Sequence, residues 1–64
     1  HDRLYKLMDL KPGLKVSRDL FNSEGMLLIT KGTELTELNI NKLMELQDRD
    51  TKDLNVFVHE SSIQ

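Results

Sequence analysis

The stretch at 22–36, N-S-E-G-M-L-L-I-T-K-G-T-E-L-T, joins a turn, an apolar strand, a second turn and a helix start. Asn22 to Gly25 favour a turn, and Gly25 stands where a left-handed backbone closes a hairpin. Met26 to Thr30 then form a strand that is apolar on both faces. We therefore expect this strand to lie centrally in a sheet or under a second layer, rather than at an exposed edge.

The residues before this stretch predict the first arm of the hairpin. Leu14, Val16 and Leu20 share one parity with Arg18, which is the two-residue period of a strand over 14–21 with one buried face. Upstream, the K-P-G at 11–13 interrupts any regular element. Residues 1–10 fit either a short helix or an opening strand.

The residues after the stretch predict a second turn, a helix and a last strand. Lys31-Gly32 turns the chain, Thr33 to Leu35 can pair briefly, and Thr36 is a good N-cap because its hydroxyl can accept from the first free N–H groups. A helix follows over about 37–47, with an apolar stripe toward the hairpin. That stripe consists of Ile40, Leu43 and Met44, with Leu46 beside them. Residues 47–53 lack large apolar side chains and predict a loop, residues 54–59 alternate as a final strand, and 60–64 form a polar tail.

The predicted fold class is therefore α+β: a small antiparallel β-sheet (hairpin 14–30, final strand 54–59) covered by one α-helix (about 37–47). One helix covers only one face of a sheet. We expect the other apolar face to meet the N-terminal segment or a second copy of the chain.

Composition sets the limits of this fold and of its chemistry. With 64 residues the chain forms one small domain, which we expect to be a fragment of a longer protein. It has no cysteine for disulfides or thiolate zinc sites. Twelve of its apolar residues are Leu and none is Ala, so the core must come from large aliphatic side chains. A net charge of −2 argues against binding nucleic acid or anionic membranes, and no apolar run is long enough to span a bilayer. We expect a cytoplasmic location.

No set of residues predicts an active site or a metal site. His1-Asp2 has the letters of a metal-binding His-Asp dyad, but His59 is the one further histidine in the chain. Asp48, Asp50 and Asp53 lack the spacing of a calcium loop. No serine has a nearby histidine with an orienting acid. We expect no enzyme activity, no catalytic or metal-binding residue, and no cofactor.

Two groups of residues are singled out instead. The structural group contains the turn glycines Gly13, Gly25 and Gly32 with the cap Thr36, and the candidate interaction group contains Arg18, Phe21, Met26 and Phe57. Arg18 stands on the apolar parity of its strand, so it either snorkels at an edge or pairs with Asp19, Glu34 or an acid of another chain. Met26 and Met44 are expected mainly as core filler, with an adaptable binding surface as the alternative.

The run L-K-P-G-L-K-V-S-R-D-L-F-N-S-E-G-M-L-L-I-T-K-G-T-E-L-T at 10–36, with N-I-N-K-L at 39–43 and N-V-F-V at 55–58, resembles a bacterial signalling module. That module accompanies two-component response regulators and HD-type (HD-GYP-like) proteins. The resemblance rests on these recurrent positions: Pro12, Gly13, Asp19, Gly25, Leu27, Leu28, Gly32, Leu35 and Thr36. Leu14 and Ser17 depart from the usual pattern.

The resemblance implies a function without catalysis. It indicates an accessory or output module of a bacterial two-component or cyclic-di-nucleotide signalling protein, because the catalytic HD residues of such proteins lie outside this module. The implied partners are proteins: a second copy of the chain, as in a homodimer, or a neighbouring receiver or HD-type domain. The alternative is a small-ligand sensor in which a nucleotide or metabolite docks beside Arg18 and the turns.

Overall fold

The structure of the chain, a computed structural model, describes residues 1–50 and 54–63. The strands are β1 (Asp2–Lys6), β2 (Leu20–Phe21), β3 (Leu27–Ile29) and β4 (Asn55–His59), and the helix is α1 (Glu37–Asp50). Short 3₁₀ turns at Leu7–Asp9 and Glu60–Ser62 follow β1 and β4. The predicted α+β class, with small antiparallel sheets and one α-helix among the described residues, is confirmed.

The N-terminal segment is a strand, which settles the choice that its sequence left open. β1 pairs antiparallel with β4 along its whole length, from Asp2 opposite His59 to Lys6 opposite Asn55. Val56 and Val58 of β4 are buried, so this ladder carries one wall of the core. The final strand therefore takes its longest partner from the other end of the chain rather than from the hairpin.

The middle of the sheet is residues 14–17, between β4 and residues 33–35. On one side the Val16 N–H donates to the Thr33 carbonyl at 2.9 Å, and the Leu35 N–H donates to that of Leu14 at 2.8 Å. On the other side the Ser17 N–H donates to the Phe57 carbonyl at 2.8 Å. The brief pairing predicted for Thr33 to Leu35 is thus present, and it places Val16 at the centre of the sheet.

The predicted strand over 14–21 is wrong as one continuous element. Ser17 is buried and Arg18 is exposed, which reverses the alternation that Leu14 and Val16 begin. The chain bends at Arg18 and resumes pairing at β2, so the predicted single sheet divides in two. In one part the β1–β4 ladder is extended by bridges to residues 14–17 and 33–35, and the other part is the two-stranded ladder of β2 with β3.

The hairpin between β2 and β3 closes where the sequence predicts. Leu20 lies opposite Ile29 and Phe21 opposite Leu27, so Leu28 is an extra residue that forms a bulge. The Asn22 side-chain oxygen accepts the N–H groups of Glu24 and Met26, each at 2.9 Å. Gly25 completes the turn at φ 83, in the left-handed region, and Gly13 and Gly32 have φ values of 98 and 91. Each glycine thus stands at a turn that needs a conformation which other residues avoid.

The prediction of a central or covered β3 is wrong. Within the described part of the chain β3 pairs with β2 alone, while residues 14–17 take the central place. Leu28 and Ile29 pack against the core, but Leu27 is 45% exposed. A strand that is apolar on both faces is therefore covered on one of them.

The helix begins at a reciprocal cap. The Thr36 hydroxyl accepts the Asn39 N–H, and the Asn39 side-chain oxygen accepts the Thr36 N–H, both at 3.1 Å. This pair satisfies two backbone donors at the helix start, in the manner of a capping box.

The helix ends three residues later than predicted, at Asp50 instead of about residue 47. The predicted loop is wrong over 47–50, because no Gly or Pro interrupts these residues and Gln47 and Arg49 are good helix formers. The remainder of that loop, 51–53, lies outside the described residues.

The core is aliphatic and lies between α1 and the sheet. Its buried residues are Leu7, Leu10, Leu14, Val16, Leu20, Leu35, Ile40, Leu43, Leu54, Val56 and Val58. α1 contributes Ile40 and Leu43, as the sequence predicts, whereas Met44 is 38% exposed and Leu46 is half-buried. Seven leucines, three valines and Ile40 fill this layer without Met44, so the prediction of Met44 as core filler is wrong.

Candidate interaction surface

The hairpin carries a group of exposed apolar side chains. Phe21 is 50% exposed, Met26 62% and Leu27 45%, and all three lie on or beside the short strands β2 and β3. We call them the hairpin patch. Scattered single apolar residues are ordinary on a protein surface, whereas three on one hairpin mark a surface that can bind.

The register of the hairpin explains why the patch is exposed. Phe21 and Leu27 lie directly opposite each other and share a face, while Leu20 and Ile29 point to the core from the other face. Met26 lies beside them at the turn, where its N–H is held by Asn22. The prediction of Met26 as core filler is wrong, because no described layer lies over this end of the hairpin.

Arg18 and Phe57 form a second, separate group. The guanidinium carbon lies 3.9 Å from the centroid of the Phe57 ring, a cation–π stacking distance. Arg18 Nε also donates to the Asp2 carboxylate at 2.8 Å. Neither of the two acids named from the sequence is the partner: Asp19 instead accepts the backbone N–H of Lys31 at 2.7 Å. The four candidate interaction residues thus fall into two pairs: Phe21 and Met26 at the hairpin, and Arg18 and Phe57 at the bend and on β4.

The charge of Arg18 alters the acid that it contacts. The hydrogen bond from Arg18 holds the pKa of Asp2 below its ordinary value of 3.8, while desolvation opposes the effect. Ser17 is 5% exposed, and its oxygen is buried without a hydrogen bond of standard geometry to any described group. Asp2, Arg18 and Phe57 therefore tie the first strand, the bend and the last strand together.

A cleft lies at the K-P-G turn, away from both groups. It has a volume of about 470 Å³ and is lined by Tyr5, Met8, Asp9, Lys11, Leu14 and Ile63. A smaller hollow of about 290 Å³ shares Lys11 and Leu14 and extends over the turn to Ser62. Sequence reasoning missed Tyr5 and Ile63 here, because only the fold brings the two ends of the chain to this turn.

The described residues hold no arrangement typical of a metal site. Over residues 1–47 and 54–63, whose side chains the structure describes, no three His, Asp or Glu side chains lie close enough together to hold an ion. The side chains of the rejected calcium spacing, Asp48, Asp50 and Asp53, lie outside those residues. In the same part of the chain, no helix has the length and apolar character needed to cross a membrane.

Comparison of the chain with family models, curated proteins and solved structures gives no match. The similarity to a signalling module therefore rests on the residues quoted for it. Eight of those nine positions lie at the turns, the hairpin and the helix cap, which are structural places: Pro12, Gly13, Asp19, Gly25, Leu27, Leu28, Gly32 and Thr36. The two side-chain groups and the cleft are the features from which a function must be argued.

Proposed function

We propose that this chain is a non-catalytic accessory or output module of a bacterial two-component or cyclic-di-nucleotide signalling protein, working in the cytoplasm through protein contacts. Those contacts include self-association. The observation that carries the proposal is the hairpin patch, where Phe21, Met26 and Leu27 remain exposed on one hairpin of a small domain.

The physical case for a docking role is the cost of leaving the patch in water. Burying a fully exposed large apolar side chain is favourable by about 1.5–3 kcal/mol. The three patch residues are 45–62% exposed, so each gains roughly half of that on full burial, which together is enough for a weak contact. Phe and Met are also enriched in protein interfaces. The patch could be buried equally well by a neighbouring receiver or HD-type domain or by a second copy of the chain.

The test measures the mass of the chain by size-exclusion chromatography with light scattering, from micromolar to millimolar concentration. We expect the mean mass to rise with concentration, and Phe21→Ser to reduce that rise. Met8→Ser is the matched control, because Met8 is also an exposed apolar residue but lies on the 3₁₀ turn after β1. A chain that stays monomeric and also fails to bind the adjoining domains of its parent protein would contradict the proposal.

The second candidate function is small-ligand binding, which the cleft at the K-P-G turn favours. Lys11 and Asp9 place opposite charges beside the apolar wall of the cleft, a combination suited to a small metabolite that has both polar and apolar parts. The cleft is lined by Lys11 and not by Arg18, so the proposed ligand would bind beside Lys11.

Amide NMR spectra recorded during titration with cyclic-di-GMP, ATP and GTP test this second candidate. Ligand binding predicts shifts centred on Tyr5, Lys11 and Leu14 that Lys11→Gln weakens and that Lys42→Gln, on the exposed face of α1, leaves unchanged. Spectra that stay constant at millimolar ligand would reject binding of these nucleotides.

A further inference from the structure

β3 has an open edge whose backbone groups point outward. The Asn22 N–H donates to the Met26 carbonyl at 2.9 Å, so these two residues form a hydrogen-bonded pair. Hydrogen-bonded and non-hydrogen-bonded pairs alternate along an antiparallel ladder. The next pair, Phe21 with Leu27, is therefore non-hydrogen-bonded, and the Leu27 N–H and C=O point away from β2. No described segment pairs with that edge.

The sequence of the edge lacks the residues that usually protect one. Residues 25–30 contain no charge and no proline, whereas native edge strands commonly carry lysine, proline or inward charges that prevent pairing with another chain. A two-stranded hairpin is also marginal by itself and gains stability from further strands. This edge is thus a template for an added strand.

The charges that flank the edge favour the strand's own copy as the partner. Glu24 precedes the uncharged run and Lys31 follows it, and neither forms an ion pair with a described residue. Antiparallel pairing of the run with itself brings the Glu24 end of each copy to the Lys31 end of the other. Parallel pairing would instead bring like charges together.

The exposed side chains are also self-complementary. Phe21 and Leu27 are cross-strand neighbours on the exposed face. An antiparallel pair centred on Leu27 places the two Leu27 side chains next to each other, which makes a continuous apolar row across four strands: Phe21, Leu27, Leu27 of the second copy and Phe21 of the second copy.

We propose that β3 pairs edge to edge with β3 of a second copy, antiparallel about a two-fold axis at Leu27. Each Leu27 N–H donates to the Leu27 carbonyl of the other chain, and the result is a four-stranded sheet in the order β2-β3-β3-β2. This inference rests on the proposed function, because it names the partner and the geometry of the self-association. The interface is small, so the dimer is weak and depends on concentration.

The first arm of the test removes the outward donor alone. The 64-residue chain is short enough for chemical synthesis with an N-methyl group on Leu27, which keeps every side chain. N-methylation of Glu37 is the matched control, because the first helical N–H has no intrahelical partner and tolerates substitution there. In sedimentation experiments we expect the dimer dissociation constant to rise at least tenfold for N-methyl-Leu27 and to stay unchanged for N-methyl-Glu37.

The second arm uses the flanking charges and keeps the proposal testable if the methylated chain does not fold. Glu24→Lys alone places like charges at both ends of the paired strands and weakens the dimer, and Glu24→Lys with Lys31→Glu restores it. Persistent association that neither N-methyl-Leu27 nor Glu24→Lys weakens would overturn the edge pairing while leaving the proposed function intact. A chain that stays monomeric at millimolar concentration would overturn the edge pairing together with self-association, and contact with a neighbouring domain would then be the remaining form of the proposed function.

Discussion

At the scale of single residues, Arg18 shows how one side chain can hold three segments in place. It stacks on Phe57 and binds the carboxylate of Asp2, and this contact lowers the pKa of Asp2. The stabilisation is therefore complete above the unfolded value of 3.8 and is lost as the pH falls through the lower folded value.

We expect Arg18→Gln to raise the pKa of Asp2 toward its ordinary range, as followed by carboxyl NMR shifts during an acid titration. Lys42→Gln removes the same charge from the exposed face of α1 and serves as the control. The Asp2→Asn variant adds a second readout: its loss of stability relative to the natural chain shrinks as the pH falls below 3.8. An Asp2 titration that is identical in the natural chain and in Arg18→Gln would contradict the assignment.

Gly25 allows a prediction in which backbone strain is the only variable. Its φ is 83, and a Cβ added there meets nothing within 4 Å, so a substitution is penalised by conformation alone. Gly25→Val should lower the free energy of unfolding by about 1 kcal/mol or more, as measured by urea denaturation. Gly25→Asn should cost less, because asparagine tolerates the left-handed region. Equal stability of the valine variant and the natural chain would refute this turn geometry.

At this scale the sequence predicts backbone roles better than side-chain partners. The turn glycines and the Thr36 cap follow from local rules about φ and free N–H groups, which act over four or five residues. The partner of Arg18 does not follow from such rules, because Asp2 reaches it only through the pairing of β1 with β4. The candidate acids Asp19 and Glu34 are therefore the wrong ones.

At the scale of the elements, the cap and the apolar stripe define where α1 begins and which side it buries. Thr36→Ala removes one half of the reciprocal cap and should cost about 1 kcal/mol of stability, within a range of roughly 0.5–2 kcal/mol. Thr36→Ser keeps the hydroxyl, so its free energy of unfolding should differ from that of the natural chain by no more than a few tenths of a kcal/mol. Urea unfolding followed by circular dichroism measures both, and an alanine variant as stable as the serine variant would argue against the cap.

Two elements were misjudged from the sequence for a shared physical reason. Two patterns indicate buried strand residues: the alternation over 14–21 and the apolar run of Met26 to Thr30. Neither pattern indicates which strand lies at the centre of the sheet. That place depends on non-local hydrogen bonds, here those that join residues 14–17 to Phe57 on one side and to Thr33 on the other.

The end of the helix at Asp50 does not follow from the sequence pattern either. A lack of apolar residues removes the packing signal from 47–50, but it does not stop a helix.

At the scale of the whole molecule, the fold is one thin aliphatic layer between α1 and the sheet. The α+β class was predictable because turn, cap and periodicity signals agree over the middle of the chain. The candidate surface was only half predictable: Phe21 and Met26 were named, whereas Leu27 was assigned to the interior. Its exposure arises because a chain of 64 residues has one described helix to cover two small sheets.

A domain with so small a core has a low free energy of unfolding, so one cavity in the core should be enough to unfold much of the population. Leu43 is 2% exposed within the aliphatic core, and Leu43→Ala should cost about 2–5 kcal/mol. Since small domains have only about 5–15 kcal/mol of stability at best, we expect a large loss of the folded population. Met44→Ala is the matched control, because Met44 neighbours Leu43 on the same helix but is 38% exposed, and it should change stability by about 0.5 kcal/mol or less. Thermal unfolding followed by circular dichroism separates the two, and a Leu43→Ala chain as stable as Met44→Ala would mean that α1 buries a different face.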